Sequence, residues 1–90
     1  MYFVYVLFSK KDRKLYVGYS KDVQTRFNRH KSGQVPATVN RRPLELIYYE
    51  AYSSPQEAKR REKYLKGGNG RAQLKIQIED TLKKLNYKHK

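Results

Sequence analysis

Apolar and polar positions along this chain form two short strand-like runs, a helical repeat, a punctuated loop, a third apolar run and two further helical repeats. The first run, Phe3-Val4-Tyr5-Val6-Leu7, and the second, Leu15-Tyr16-Val17-Gly18-Tyr19, are built from β-branched and aromatic residues. Between them Ser9-Lys10-Lys11-Asp12-Arg13-Lys14 is a natural reversal, so the two runs are expected to pair as an antiparallel hairpin. Alternation puts Phe3, Tyr5 and Leu7 on one face of the first strand, and Tyr16, Gly18 and Ser20 on one face of the second. Tyr5 and Tyr16 can then stand side by side. Gly18 packs no side chain of its own, which marks a place where another backbone or a ligand comes close.

Downstream, Ser20-Lys21-Asp22 offers a helix start and Gly33 a stop, predicting a first helix over residues 21–32. Val23 and Phe27 lie one turn apart and should face the sheet. Arg26 and His30 form a second stripe, rotated by roughly 60 to 100°, that should border the sheet rather than lie beneath it. Residues 33–43, punctuated by Gly33, Pro36, Asn40 and Pro43, read as a loop long enough to close over a bound strand. Leu44 to Tyr52 reads as a third strand whose apolar centre suggests burial on more than one side. Ser54-Pro55-Gln56-Glu57 is a capping box that should open a second helix, ending at Gly67-Gly68 with Ala58, Arg61, Glu62 and Leu65 on one side. Leu74, Ile78, Leu82 and Leu85 recur at helical spacing, predicting a third helix over residues 71–85, and residues 86–90 read as a basic tail that frays. Three strands and three helices in 90 residues make one small α+β domain, residues 1–85.

Charge changes what this domain is expected to meet. Lys and Arg total 21 against 8 Asp and Glu, a formal net charge of +13. Such an excess repels itself unless a polyanion or salt offsets it, which makes nucleic acid the leading partner. An anionic membrane is a poorer candidate, because no apolar run approaches the ~18 residues of a spanning helix. There is no cysteine, hence no disulfide or thiolate metal site. With Met1 followed at once by strand-like sequence and no secretory signal, a cytoplasmic address is expected.

Glu62 stands among Lys59, Arg60, Arg61, Lys63 and Lys66. A lone acid in such a run is commonly a helix-surface ion pair, about 0.3 to 0.5 kcal/mol. Facing inward beside Ala58 and Leu65, it could instead hold one Mg²⁺, which keeps several waters and takes other ligands from substrate phosphate. Arg26 and His30 have a similar pair of readings. They are either solvated charges, or an arginine fork on a phosphate and a histidine that passes a proton. Lys31, Arg41, Arg42, Lys59 and Lys66 are read as phosphate contacts that position a strand without reading bases, with Gly18 beside them where a ligand approaches.

Taken together, Phe3-Val4-Tyr5, then Tyr16-Val17-Gly18, Arg26, His30 and Glu62 resemble the GIY-YIG nuclease superfamily over nearly the whole chain. The similarity is closest to small stand-alone bacterial members related to the N-terminal nuclease domain of the excinuclease. The resemblance implies a three-stranded antiparallel sheet flanked by helices and cleavage of a phosphodiester bond with one divalent cation, Mg²⁺ or Mn²⁺. It further implies that Tyr5 and Tyr16 line the site and one activates or orients water, that Arg26 binds the scissile phosphate, and that Glu62 holds the metal. Two departures are visible: Phe3-Val4-Tyr5 stands for Gly-Ile-Tyr, and the asparagine that several members carry beyond the glutamate is replaced near Leu74. The expected activity is therefore a metal-dependent DNA endonuclease. The alternatives are a non-catalytic nucleic-acid-binding module of the same fold and a basic RNA-associated protein.

Overall fold

The sequence places its longest strand-like run first, and that strand becomes the centre of the molecule. β1 (Tyr2–Ser9) is paired on both sides in an antiparallel sheet of order β2-β1-β3, with β2 (Leu15–Ser20) and β3 (Leu44–Tyr52) at the edges. The computed structural model describes residues 1–87. Every side chain from Val4 to Ser9 is buried, as a strand covered on both faces requires. The expectation that the third strand is buried on more than one side fails, for β3 is an edge strand and Tyr49 is 56% exposed. Its apolar centre has another cause. A bulge opposite Val6 and Leu7 inserts one residue, and Ile47 and Tyr48 both pack into the same cluster.

Strand alternation divides the interior in two. Val4, Val6 and Phe8, with Leu15 and Val17, pack against α2 (Pro55–Lys66), α3 (Gly68–Gln77) and α4 (Glu79–Lys84) through Ala58, Leu65, Leu74, Ile78 and Leu82. Tyr5, Leu7 and Leu44 form the smaller second cluster, against which Tyr16 and, from α1 (Val23–Lys31), Val23 and Phe27 pack. The fold is thus α+β, with four helices rather than about three.

Helix ends follow local chemistry. α1 is shorter than residues 21–32 because Asp22 is its cap, accepting from the Thr25 N–H at 3.0 Å. Ser54 caps α2 as the capping box predicts, accepting from the Glu57 N–H at 3.4 Å, with Pro55 first in the helix. The expected third helix divides at Ile78, whose φ of −111° and ψ of 30° bend the chain. Its apolar stripe survives the bend because Ile78 N–H still donates to the Leu74 carbonyl and Leu82 N–H to that of Ile78, both at 3.0 Å. α3 starts at Gly68, earlier than residue 71, and Gly70 lies inside it: a Cβ there would sit 1.8 Å from the Tyr64 carbonyl oxygen, so only glycine lets α3 approach α2 so closely.

Residues 33–43 are folded onto the hairpin. A short 3₁₀ turn spans Val39–Arg41, the Lys10 N–H donates to the Pro43 carbonyl at 2.9 Å, and the Ser9 hydroxyl donates to the Arg41 carbonyl at 2.6 Å. Val35 and Thr38 are buried. Of the tail expected over residues 86–90, Asn86 and Tyr87 are held by the fold: Tyr87 N–H donates to the Leu82 carbonyl at 2.9 Å, its ring meets Phe8 edge-on, and Arg13 donates to the Leu85 and Asn86 carbonyls, while residues 88–90 lie outside the described residues. His89 lies outside the described residues. No helix among the described residues is long and apolar enough to cross a membrane.

Candidate active site

The hairpin register sets Tyr5 opposite Gly18 and Leu7 opposite Tyr16. Tyr5 and Tyr16 are therefore diagonal neighbours on one face, their ring centroids 6.4 Å apart. Gly18 is explained from within the molecule. A Cβ at that position would lie 2.3 Å from both Cζ and the hydroxyl oxygen of Tyr5, so the Tyr5 ring occupies the room that a side chain would need. The close approach expected at Gly18 is made, within the molecule, by the Tyr5 ring.

Tyr5 is 1% exposed, and its hydroxyl lies 2.8 Å from His30 Nε2. His30 is itself fully buried, with Nδ1 2.7 Å from the Thr38 hydroxyl and its ring edge-on to both Tyr5 and Tyr16. The expectation that His30 borders the sheet is corrected: the helix turns it inward beneath the sheet, because Tyr5 and Thr38 satisfy both ring nitrogens there. Burial, and then the positive charges of Arg26 and Arg29, push its pKa down to about 4. The imidazole is neutral at pH 7, with one nitrogen donating and the other accepting. In one tautomer Tyr5 donates to Nε2 while Nδ1–H donates to Thr38; in the other Thr38 donates to Nδ1 and Nε2–H to Tyr5.

Three further predicted residues, Arg26, Tyr16 and Glu62, act electrostatically on Tyr5. Burial raises the Tyr5 pKa above 10, the Arg26 guanidinium opposes that rise, and the neighbouring Tyr16 and Glu62 add to it. Arg26 comes from α1 and Glu62 from α2, helices that pack on opposite faces of the sheet. Arg26 Nε is buried without a hydrogen-bond partner among the described residues. Glu62 is partly buried, 23% exposed, and pairs with Lys66 Nζ at 3.1 Å. Among the described residues no group of three or more His, Cys, Asp or Glu side chains could hold a metal. What Glu62 offers is a single carboxylate, a donor set suited to a hard cation that completes its shell from water and phosphate oxygens.

The remaining predicted contacts separate. Lys31 stands over the Phe27 ring at 5.1 Å and Lys59 over Tyr19 at 5.4 Å, leaving their charges open to a partner. Lys66 is engaged by Glu62. Arg41 is not near this group: it pairs with Asp12 at 2.6 Å and fastens the loop to the hairpin. Arg42 donates to the Val39 carbonyl and packs its guanidinium over Gly33. Sequence reasoning misses Thr38, whose buried place is marked by its hydrogen bond to His30, eight residues before it. It also misses Glu50 on β3, which accepts from Tyr48, Tyr52 and, at 2.9 and 3.1 Å, from Arg61, fixing α2 to the sheet next to Glu62.

Comparison with known proteins identifies the family and the fold. The family model described as the GIY-YIG catalytic domain matches residues 1–77. A UPF0213 protein of Staphylococcus epidermidis is 40% identical over 76 residues, covering 83% of this chain and 92% of the relative. One from Staphylococcus saprophyticus is 36% identical with the same coverage. The solution NMR structure of a UPF0213 protein from Bacillus halodurans superposes with a TM-score of 0.50 at 36% identity, covering 82% of each chain. With that family model matched over residues 1–77, the chain belongs to the GIY-YIG family.

Proposed function

We propose that this domain is a metal-dependent endonuclease that hydrolyses phosphodiester bonds in DNA. The observation that carries the reading is the packed Tyr5–Tyr16 pair, ring centroids 6.4 Å apart and backed by His30, within a chain of net charge +13. Tyr5 is closed to solvent and Tyr16 is only partly buried, so Tyr16 is the phenol that meets and orients the attacking water. Behind it, the buried Tyr5–His30–Thr38 hydrogen bonds hold the inner wall of the site, and the water's proton leaves to bulk solvent on the open side at Tyr16. The Arg26 guanidinium neutralises charge growing on the phosphate as the water oxygen adds and the bond to the leaving oxygen breaks. Glu62 would hold Mg²⁺ or Mn²⁺, which supplies a lowered pKa for bound water or steadies the leaving oxygen. No covalent intermediate is required.

One observation favours a second reading. Lys66 already occupies Glu62 at 3.1 Å, as it would in a basic nucleic-acid-binding module without turnover. Incubation of the purified chain with branched, nicked and single-stranded DNA in Mg²⁺ or Mn²⁺ separates the two. The nuclease reading expects metal-dependent cutting, whereas salt-dependent binding without cutting supports the module.

A further inference from the structure

At the hairpin end of the sheet lies a cavity of about 600 Å³ lined by Asp12, Arg13, Lys14, Arg41, Arg71 and Lys75, outside the tyrosine site. Its one acid, Asp12, is committed to Arg41 at 2.6 Å. Of the other four cations, Arg13, Arg71 and Lys75 are held by neutral groups. Arg13 donates to the carbonyls that follow α4 and stands 5.9 Å over the Phe8 ring, with its Nε buried and unpartnered among the described residues. Arg71 donates to the Leu65 carbonyl at 3.2 Å, and Lys75 stands 5.4 Å over the Tyr87 ring. Carbonyls and rings fix these side chains without neutralising them, so positive charge is concentrated in a concave, pre-formed place.

We propose that this cavity is a second nucleic-acid site, which grips the phosphodiester backbone of duplex DNA away from the point of chemistry. It rests on the nucleic-acid reading of the domain, though not on turnover. Its position suits such a clamp: Lys14 and Leu15 at its rim directly precede Tyr16 on β2, the open edge of the sheet. Leu15 and Tyr16 point to opposite faces, so a duplex lying across that edge meets the cavity on one face and Tyr16 on the other.

The test measures binding of a short labelled duplex to the full chain in EDTA, where cleavage plays no part, as salt is varied. Lys14→Ala with Lys75→Ala should weaken binding about thirtyfold at 0.15 M salt and lower the salt slope by about 2, relative to Lys83→Ala with Lys84→Ala on α4. Lys14→Arg with Lys75→Arg should bind as the parent does, and unfolding midpoints check that all variants fold. A cavity variant that folds yet binds and responds to salt like the α4 control overturns the proposal, as does a parent chain that does not bind duplex. Failure of the nuclease reading is separate, since it appears as absent cutting in Mg²⁺ with these binding differences intact.

Discussion

Replacing Gly18 by alanine tests whether the tyrosine site is built on the absence of one side chain. The new Cβ would lie 2.3 Å from Tyr5 Cζ and hydroxyl oxygen and 2.8 Å from Cε1, where ordinary contact begins near 3.4 Å. Relief requires a shift of about 1 Å in a ring that is 1% exposed and held by His30 at 2.8 Å. Overpacking of this kind costs about 1–3 kcal/mol, and a stretched hydrogen bond about another 1 kcal/mol, so Gly18→Ala should lose about 2–4 kcal/mol. In a chain of this size that lowers the unfolding midpoint by roughly 10–20 °C. The same displacement moves the hydroxyl on which Arg26 and Glu62 act, and a 1 Å error in a catalytic site can cost about 10²-fold in rate. The assay is thermal unfolding in a double-mutant cycle with Tyr5→Leu, which removes the atoms that the new methyl would strike. In that background Gly18→Ala should cost less than about 0.5 kcal/mol. An equal cost in both backgrounds would refute the argument that Gly18 exists to admit Tyr5.

Three further outcomes follow from other parts of the structure. Because the folded pKa of His30 lies near 4, below its unfolded 6.5, the stability it contributes is complete above pH 6.5 and is lost as pH falls, the loss reaching about 3 kcal/mol by pH 4; urea unfolding across that range should show it, and His30→Gln should flatten it. Gly70→Ala should destabilise the chain by about 3 kcal/mol despite alanine's better helix propensity, because its methyl meets the Tyr64 carbonyl at 1.8 Å, and a Tm at or above the parent's would contradict this. Glu50→Gln should lower stability by roughly 1–2 kcal/mol by weakening the acceptor shared by Tyr48, Tyr52 and Arg61, and denaturant titration reads it directly.

Local chemistry makes much of this fold legible from sequence. The hairpin, the Ser54 cap and the Leu74-Ile78-Leu82 stripe each depend on neighbours within a few residues, and each stands where sequence places it. The features that escape depend on distant parts. His30 reads as a residue that borders the sheet, and only Tyr5, 25 residues before it, and Thr38 turn it into a buried one. β3 reads as central because a bulge adds an apolar residue to it, which single-strand patterning cannot distinguish from two-sided burial. Arg41 and Asp12 are 29 residues apart, so the arginine's commitment to an ion pair is hidden in a count of basic residues.

The central claim, that Tyr5, Tyr16, Arg26 and Glu62 form one hydrolytic site, is tested most directly by cleavage with Glu62→Ala. The ion pair that Glu62 makes with Lys66 is worth about 0.3–0.5 kcal/mol on a helix surface, so the variant should fold with nearly unchanged stability. In Mg²⁺ or Mn²⁺ the parent should cut DNA, and the well-folded variant should cut about 10²–10³-fold more slowly while still binding it. Cutting that survives Glu62→Ala at the parental rate, or a parent that cuts no substrate with either metal, would contradict the account.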